Sequence, residues 1–187
     1  MKKLLLVAVM VLTSAMTFAQ QKEGSLTIQP KVGLNIASLT DFDDSDPRFG
    51  VVAGAEFMYQ ATDMVGLSFG ALYSMQGAKY DKATTKLDYI NIPILANVYV
   101  APGFAVKLGL QPGFNVNSKA KAKSNGVAVE ADLDAKTVDL SIPIGLSYEF
   151  NNFVIDGRYN WGLTKVAKDS DSKNSVFQIT LGYKLPL

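Results

Sequence analysis

The sequence predicts an all-β fold, an eight-stranded antiparallel up-and-down transmembrane β-barrel. Three observations predict it. Apolar residues recur at every second position through stretches of roughly ten or more residues, which is the strand period and the length of a membrane-crossing strand. Long polar loops alternate with short turns, as in bacterial barrels. The face opposite the apolar one is built mainly from Gly, Ser, Asn, Thr and Gln. Such small polar groups suit the cramped centre of an eight-stranded barrel, whereas a water-facing sheet would carry more Lys, Glu and Arg.

The first residues are a targeting segment. Lys2 and Lys3 are basic, Leu4 to Leu12 is apolar but too short to span a bilayer, and Thr17-Phe18-Ala19 is a small-x-small cleavage motif before Gln20. Residues 1–19 therefore read as a signal peptide and 20–187 as one outer-membrane β-barrel domain. The sequence has no Cys, so it offers neither a lipoprotein anchor nor a disulfide scaffold. It has no His, the commonest general base and transition-metal ligand. A formal net charge of +1 gives no reason to expect a nucleic-acid partner.

In order, the first strand runs from about Leu26 to Ile36, with Leu26, Ile28, Val32, Leu34 and Ile36 on one face and Thr27, Gln29, Lys31, Gly33 and Asn35 on the other. The acidic stretch Asp41 to Pro47 is a loop. The second strand spans Phe49 to Tyr59 and the third Val65 to about Met75, joined by a short turn at Ala61 to Met64. Gly77 to Lys86 reads as a polar loop. The fourth and fifth strands form a hairpin from Leu87 to Val116 around Ala101-Pro102-Gly103. The sixth strand, Val138 to Phe150, and the seventh, Phe153 to Leu163, flank a two-residue Asn151-Asn152 turn. Lys165 to Asn174 is another loop, and the eighth strand carries Phe177, Ile179, Leu181, Tyr183, Leu185 and Leu187. Proline disfavours a central strand, so Pro93 and Pro143, in the repeated Asn91-Ile92-Pro93-Ile94 and Ser141-Ile142-Pro143-Ile144, are expected to mark bulges or wall bends.

The polar face assigns Lys31, Lys107, Arg158 and Lys184, with Glu56, Asp139, Glu149 and Asp156, to the lumen. The signs balance, as burial demands, and a structural ion-pair network is expected there, centred on Arg158 and Lys107 with Glu56, Asp139 or Asp156. Gly109, on the lumen face, is expected to accept Ser more readily than its wall neighbour Leu108 accepts Arg. The aromatics gather toward strand ends: Phe49, Tyr73, Phe114, Tyr159, Trp161 and Phe177 at one rim, and Phe57, Tyr59, Phe104, Tyr148, Phe150, Phe153 and Tyr183 at the other. Two interfacial girdles are the mark of a membrane barrel.

The longest connection, Ser118 to Lys136, contains Asn125-Gly126 between alternating arms, a strong hairpin signal. A two-residue turn sets Lys121 opposite Glu130 and Lys119 opposite Asp132, and then one residue must be absorbed between Leu133 and Thr137 to keep Phe114 and Val138 both facing lipid. A three-residue Ser124-Asn125-Gly126 loop would keep parity without that bulge. The first version matches the charges.

Tyr89-Ile90-Asn91-Ile92-Pro93-Ile94-Leu95, then Gly103-Phe104, then Gly109-Leu110-Gln111-Pro112-Gly113, resemble the PorT-like family of eight-stranded outer-membrane β-barrel proteins. The ending Leu181-Gly182-Tyr183-Lys184-Leu185-Pro186-Leu187 is similar to the signal read by barrel-assembly machinery, though it finishes in Leu187 rather than an aromatic. The resemblance implies a Gram-negative outer-membrane location, that machinery as a partner, and a shared fold more than a shared activity.

Catalysis is not expected. The chain has no nucleophile–base–acid set, and no catalytic, cofactor-binding or metal-binding residues are assigned. Asp41, Asp43, Asp44 and Asp46 could bind calcium, but the spacing lacks the glycine and terminal glutamate of an EF-hand, so a solvated acidic loop is the expectation. The chain thus reads as a monomeric barrel in outer-membrane lipid with a filled polar lumen, and with a surface-binding, structural or envelope-accessory role. The alternative is a soluble, secreted, lipocalin-like barrel that turns its apolar face inward around a small apolar ligand.

Overall fold

In a computed structural model, the described residues are 22–40, 46–79, 83–124, 127–133, 135–167 and 171–187. The leader read from residues 1–19 lies outside them, as do Asp41, Asp43 and Asp44, while Asp46 opens a strand. The strands are β1 (Leu26–Leu39), β2 (Asp46–Gln60), β3 (Val65–Lys79), β4 (Ala83–Asn91), β5 (Ile94–Ala101), β6 (Phe104–Ser124), β7 (Val127–Asp132), β8 (Val138–Phe150), β9 (Phe153–Lys165), β10 (Lys173–Tyr183) and β11 (Leu185–Pro186). There is no helix among the described residues.

These elements make a closed antiparallel barrel of eight wall strands. Neighbours pair in chain order, and β1 closes on β10 from Lys31↔Gly182 to Leu39↔Asn174. Past Lys184 the last strand resumes as β11, with Leu185 opposite Ile28. β4 and β5 are two halves of one wall strand. Asn91 lies opposite Leu72 and Ile94 opposite Phe69, so the register runs on across the interruption.

Pro93 causes that interruption, because it has no N–H to give the ladder. The edges are tied by Ile92 N donating to Pro112 O (2.8 Å) and Gly70 N donating to Pro93 O (3.2 Å). Pro143 acts in the same way. The β6–β8 ladder skips from Leu108↔Ile144 to Gln111↔Ser141 with no change of register. The bulges expected at the two prolines are therefore absent; each proline costs ladder bonds, not alignment. The shifts fall elsewhere, between Pro47 and Val52 on β2 and between Asp88 and Tyr89 on β4.

The apolar face points outward. Val32, Leu34, Leu67, Phe69, Leu108, Leu110, Ile155 and Leu181 are all half or more exposed, far beyond isolated surface hydrophobics. Register lines the aromatics up. Phe49, Ile36, Phe177 and Tyr159 form one row across β2, β1, β10 and β9. At the other rim Phe150, Phe153 and Tyr183 are neighbours, with the Phe153 and Tyr183 rings edge-on at 5.1 Å. The lipocalin-like alternative needs this face inside; the interior here is polar.

Beyond the wall the strands run further than apolar alternation suggests. Most of Gly77 to Lys86 is strand, since β3 reaches Lys79 and β4 starts at Ala83. Pairing outside lipid needs no apolar face, so the pattern that marks a wall strand fades before the ladder does. β6 runs on to Ser124 and pairs with β7: Lys119↔Asp132, Lys121↔Glu130 and Ser124↔Val127. Two residues remain between the arms, so the three-residue loop is excluded; the conformation of Asn125-Gly126 lies outside the described residues. Leu133 N donates to Ser118 O (3.1 Å) and Asn115 N to Thr137 O (2.8 Å). Three steps on β6 thus face four on the returning chain, which puts the extra residue between Leu133 and Thr137.

Candidate functional site

The inward-facing side chains fill the barrel in layers. At the centre, Lys31, Glu56, Lys107, Asp156 and Arg158 come together from β1, β2, β6 and β9, all nearly or fully buried. Arg158 donates to Asp156 through Nε (2.9 Å) and Nη2 (2.7 Å). Its Nη1 lies 3.0 Å from Glu56 Oε1. Lys31 Nζ donates to Glu56 Oε2 at 2.7 Å and lies 3.7 Å from Asp156 Oδ2. Lys107 Nζ donates to Asp156 Oδ2 at 2.5 Å. Every charge in this layer has an opposite partner, as charges away from water require.

Toward the short-turn end, Lys184 Nζ donates to Glu149 Oε2, and Tyr99 Oη donates to Glu149 Oε1 at 2.7 Å. Toward the other end Asp139 stands apart from the network, contrary to expectation. It accepts from Thr164 Oγ1 (2.5 Å) and Asn174 Nδ2 (3.2 Å), and no cation reaches it among the described residues. The cause is height: Asp139 is the second residue of β8, opposite Gly113, whereas Asp156 sits near the other end of the pairing, opposite Ser147. Asn174 also donates to Tyr89 Oη (3.2 Å). Above them Leu39, Ala78, Leu87, Tyr89 and Val166 pack as an apolar lid across the mouth. Stacked this way, the described side chains occupy the interior at three levels.

Two charged residues escaped sequence reasoning. Arg48 is buried opposite Ala37, at the interruption of the β2–β3 ladder, where it donates to Gln76 O and, at 3.3 Å, to Asp88 Oδ1. Asp88 also accepts from Tyr73 Oη (3.2 Å) and Asn117 Nδ2 (2.9 Å). A signal existed: Asp88 continues the lipid-facing parity of Ile90, and a carboxylate there needs partners.

The ribbon is the second candidate. Since Leu87 and Ser118 pair on the inner face, Lys86 and Lys119 lie on the outer one. Glu130 is reached by Lys86 at 3.4 Å and Lys121 at 3.5 Å. Lys86 beside it, then Lys121, holds the Glu130 carboxyl below the usual carboxylate range. The inner face of the ribbon is small and apolar, with Ala120↔Ala131 and Ala122↔Val129.

Comparison with known proteins follows the same geometry. Residues 18–168 match the model of a family described as outer membrane protein beta-barrel domain. Ail, the attachment invasion locus protein of Yersinia pestis, is similar in structure at 18% identity, with 88% of this chain and 100% of that chain covered and a TM-score of 0.55. Neisserial surface protein A is similar at 19% identity, with 87% and 100% covered and a TM-score of 0.56. At these identities the likeness is one of fold. No curated protein matches the chain.

Proposed function

This chain belongs to the outer membrane protein beta-barrel domain family, and on that premise we propose that it is a plugged barrel whose work is done outside the membrane by a rigid surface ribbon. It is an outer-membrane β-barrel protein with the fold of Ail and Neisserial surface protein A. One observation carries the proposal: the buried ion network and apolar lid fill the lumen, while β6 and β7 extend an ordered hairpin beyond the wall. Ordering a strand pair in water costs conformational entropy, which a purely structural wall gains nothing by spending.

Short turns lie at the periplasmic end of bacterial barrels, so the ribbon faces outward. Its partners are outer-membrane lipid around the wall and a surface ligand or protein at the ribbon. The C-terminal strand engages the assembly machinery, and one barrel suffices without a second copy. The motifs at Tyr89–Leu95 and Gly109–Gly113 support a PorT-like placement within the family. The reading assigns no catalytic step. Ail is by name an attachment protein, and attachment is the kind of role this geometry supports.

Crosslinking on intact cells tests it. A membrane-impermeant amine-reactive crosslinker should capture partners through the ribbon lysines, and replacing residues 119–133 by a short turn should abolish capture while the barrel still folds. Capture that survives this replacement, or that needs a permeant reagent acting at Lys22 by the short-turn end, would favour an envelope-accessory role instead.

A further inference from the structure

We propose that the free edge of β7 is a strand-addition site for an extended peptide segment that alternates basic and apolar residues. This deepens the surface-binding reading above and rests on it.

Among the described residues β7 pairs with β6 alone. Leu133 N donates to Ser118 O in the same register as the β6–β7 ladder. Antiparallel partners alternate between hydrogen-bonded and non-hydrogen-bonded pairs. Val127, Val129 and Ala131 therefore exchange bonds with β6, and Ala128, Glu130 and Asp132 turn their N–H and C=O groups to the open side. Below, the seam is closed, with Ala135 bridged to Ala167 and Lys136 N donating to Val166 O (2.8 Å). The edge opens above that point. Exposed edges are ordinarily blunted by charged side chains, Lys above all, by Pro or by a bulge; Val127–Asp132 has no Lys, Pro or bulge, and its only charges are Glu130 and Asp132.

The two faces of the edge define the occupant. Glu130 and Asp132 share the outer face with Lys121 and Lys119 of β6. The Glu130 side chain keeps 41% exposure despite Lys86 and Lys121, and Asp132 is exposed. On the inner face Val129 is 59% exposed, and Ala131 is exposed beside it. A strand added here sets its own side chains directly opposite these, so it needs Lys or Arg facing out and Val, Ile or Leu facing in. A second copy of β7 fits badly, because that strand carries no cation to set opposite Glu130 or Asp132.

The test uses the full chain folded in phospholipid nanodiscs and an amidated octapeptide of alternating Lys and Val. Each variant is first checked for folded-barrel mobility on unheated gels. Adding the peptide should slow amide exchange at Ala128, Glu130 and Asp132 by about tenfold or more, while Val129 and Ala131 are protected already. The same peptide with Glu in place of Lys should give no slowing. Ala128→Pro removes an edge donor and should raise the half-saturating peptide concentration about fivefold or more. Glu130→Lys with Asp132→Lys should transfer the preference to the Glu–Val peptide, and this pair stands in if the proline variant fails to fold. No slowing at the three edge amides, equal slowing by the acidic peptide, or an unchanged preference after charge reversal would each overturn the proposal. The crosslinking result depends on no particular edge, so the surface-binding reading can survive that failure and is judged separately.

Discussion

Arg158 Nη1 lies 3.0 Å from Glu56 Oε1 across the barrel interior, although β10 and β1 separate their strands in the wall. The pair spans the lumen, and Lys107 on β6 and Lys31 on β1 both reach Asp156 on β9, a strand that neither of theirs touches in the sheet. A barrel wall is held by its ladder; this cluster holds its cross-section.

Removing the guanidinium should therefore loosen the whole barrel. Arg158→Ala leaves two buried carboxylates short of a cation and should cost about 3–5 kcal/mol of folding stability. Arg158→Lys keeps the charge but not the fork, and should fall between the variant and the parent. Urea unfolding in detergent micelles reads both; an unchanged curve for Arg158→Ala would contradict burial of that charge.

The wall gives a depth-dependent prediction. Leu108, 54% exposed toward lipid, should tolerate Arg poorly, losing about 2–4 kcal/mol if it lies near the midplane. Gly109, whose replacement is expected to be the milder of the two, is itself tightly placed. A Cβ there would stand 2.0 Å from Ile94 O and 2.9 Å from Leu95 Cα, both backbone atoms of the adjacent strand. Gly109→Ser should thus also lower stability, by forcing the strands apart beside the ladder gap at Pro143. Unfolding of both variants in the same lipid measures the pair.

At the outer rim, Asp88→Ala strips Arg48, Tyr73 and Asn117 of a shared acceptor. Among the described residues Arg48 then keeps the Gln76 carbonyl, and the loss should be about 1–3 kcal/mol. The central layer does not touch Asp88, so Asp88→Ala and Arg158→Ala should add independently in the double variant.

The ribbon should respond to acid before the barrel does. The Glu130 carboxyl is held below its ordinary range by Lys86 and Lys121, so its pairing supports the ribbon at neutral pH. That support is complete above the unfolded carboxylate value and is lost as pH falls through the lowered one. Amide exchange over 119–132, followed from pH 7 down to about pH 3, should quicken at the acid end while wall amides stay protected. Glu130→Gln should abolish that pH response.

Much of this was legible because two rules are strict. Period-two alternation fixes which side chains face lipid, so the wall and the lumen charges could be read from single residues such as Leu108 and Lys107. Asn-Gly between alternating charges fixed the ribbon register, because Lys121 and Glu130 could meet only with a two-residue turn. What escaped depends on depth along the barrel. Parity gives a face but not a height, so Asp139 was grouped with cations that lie in another layer. The same limit hid the pairing of Arg48 with Asp88, which forms where the β2–β3 ladder breaks. Pro93 and Pro143 suggest bulges or wall bends because a missing donor is visible in sequence, whereas the unbroken register around each is set by neighbouring strands.

Trp161 offers the most direct test of the inside-out assignment. It is the single tryptophan, lies on the outer face near the ribbon end of β9, and is 56% exposed. In vesicles of brominated phospholipid its fluorescence should be quenched, most strongly by bromines placed near the headgroup, and it should be shielded from aqueous acrylamide. A tryptophan quenched by acrylamide and untouched by brominated lipid would mean that the apolar face does not meet the membrane.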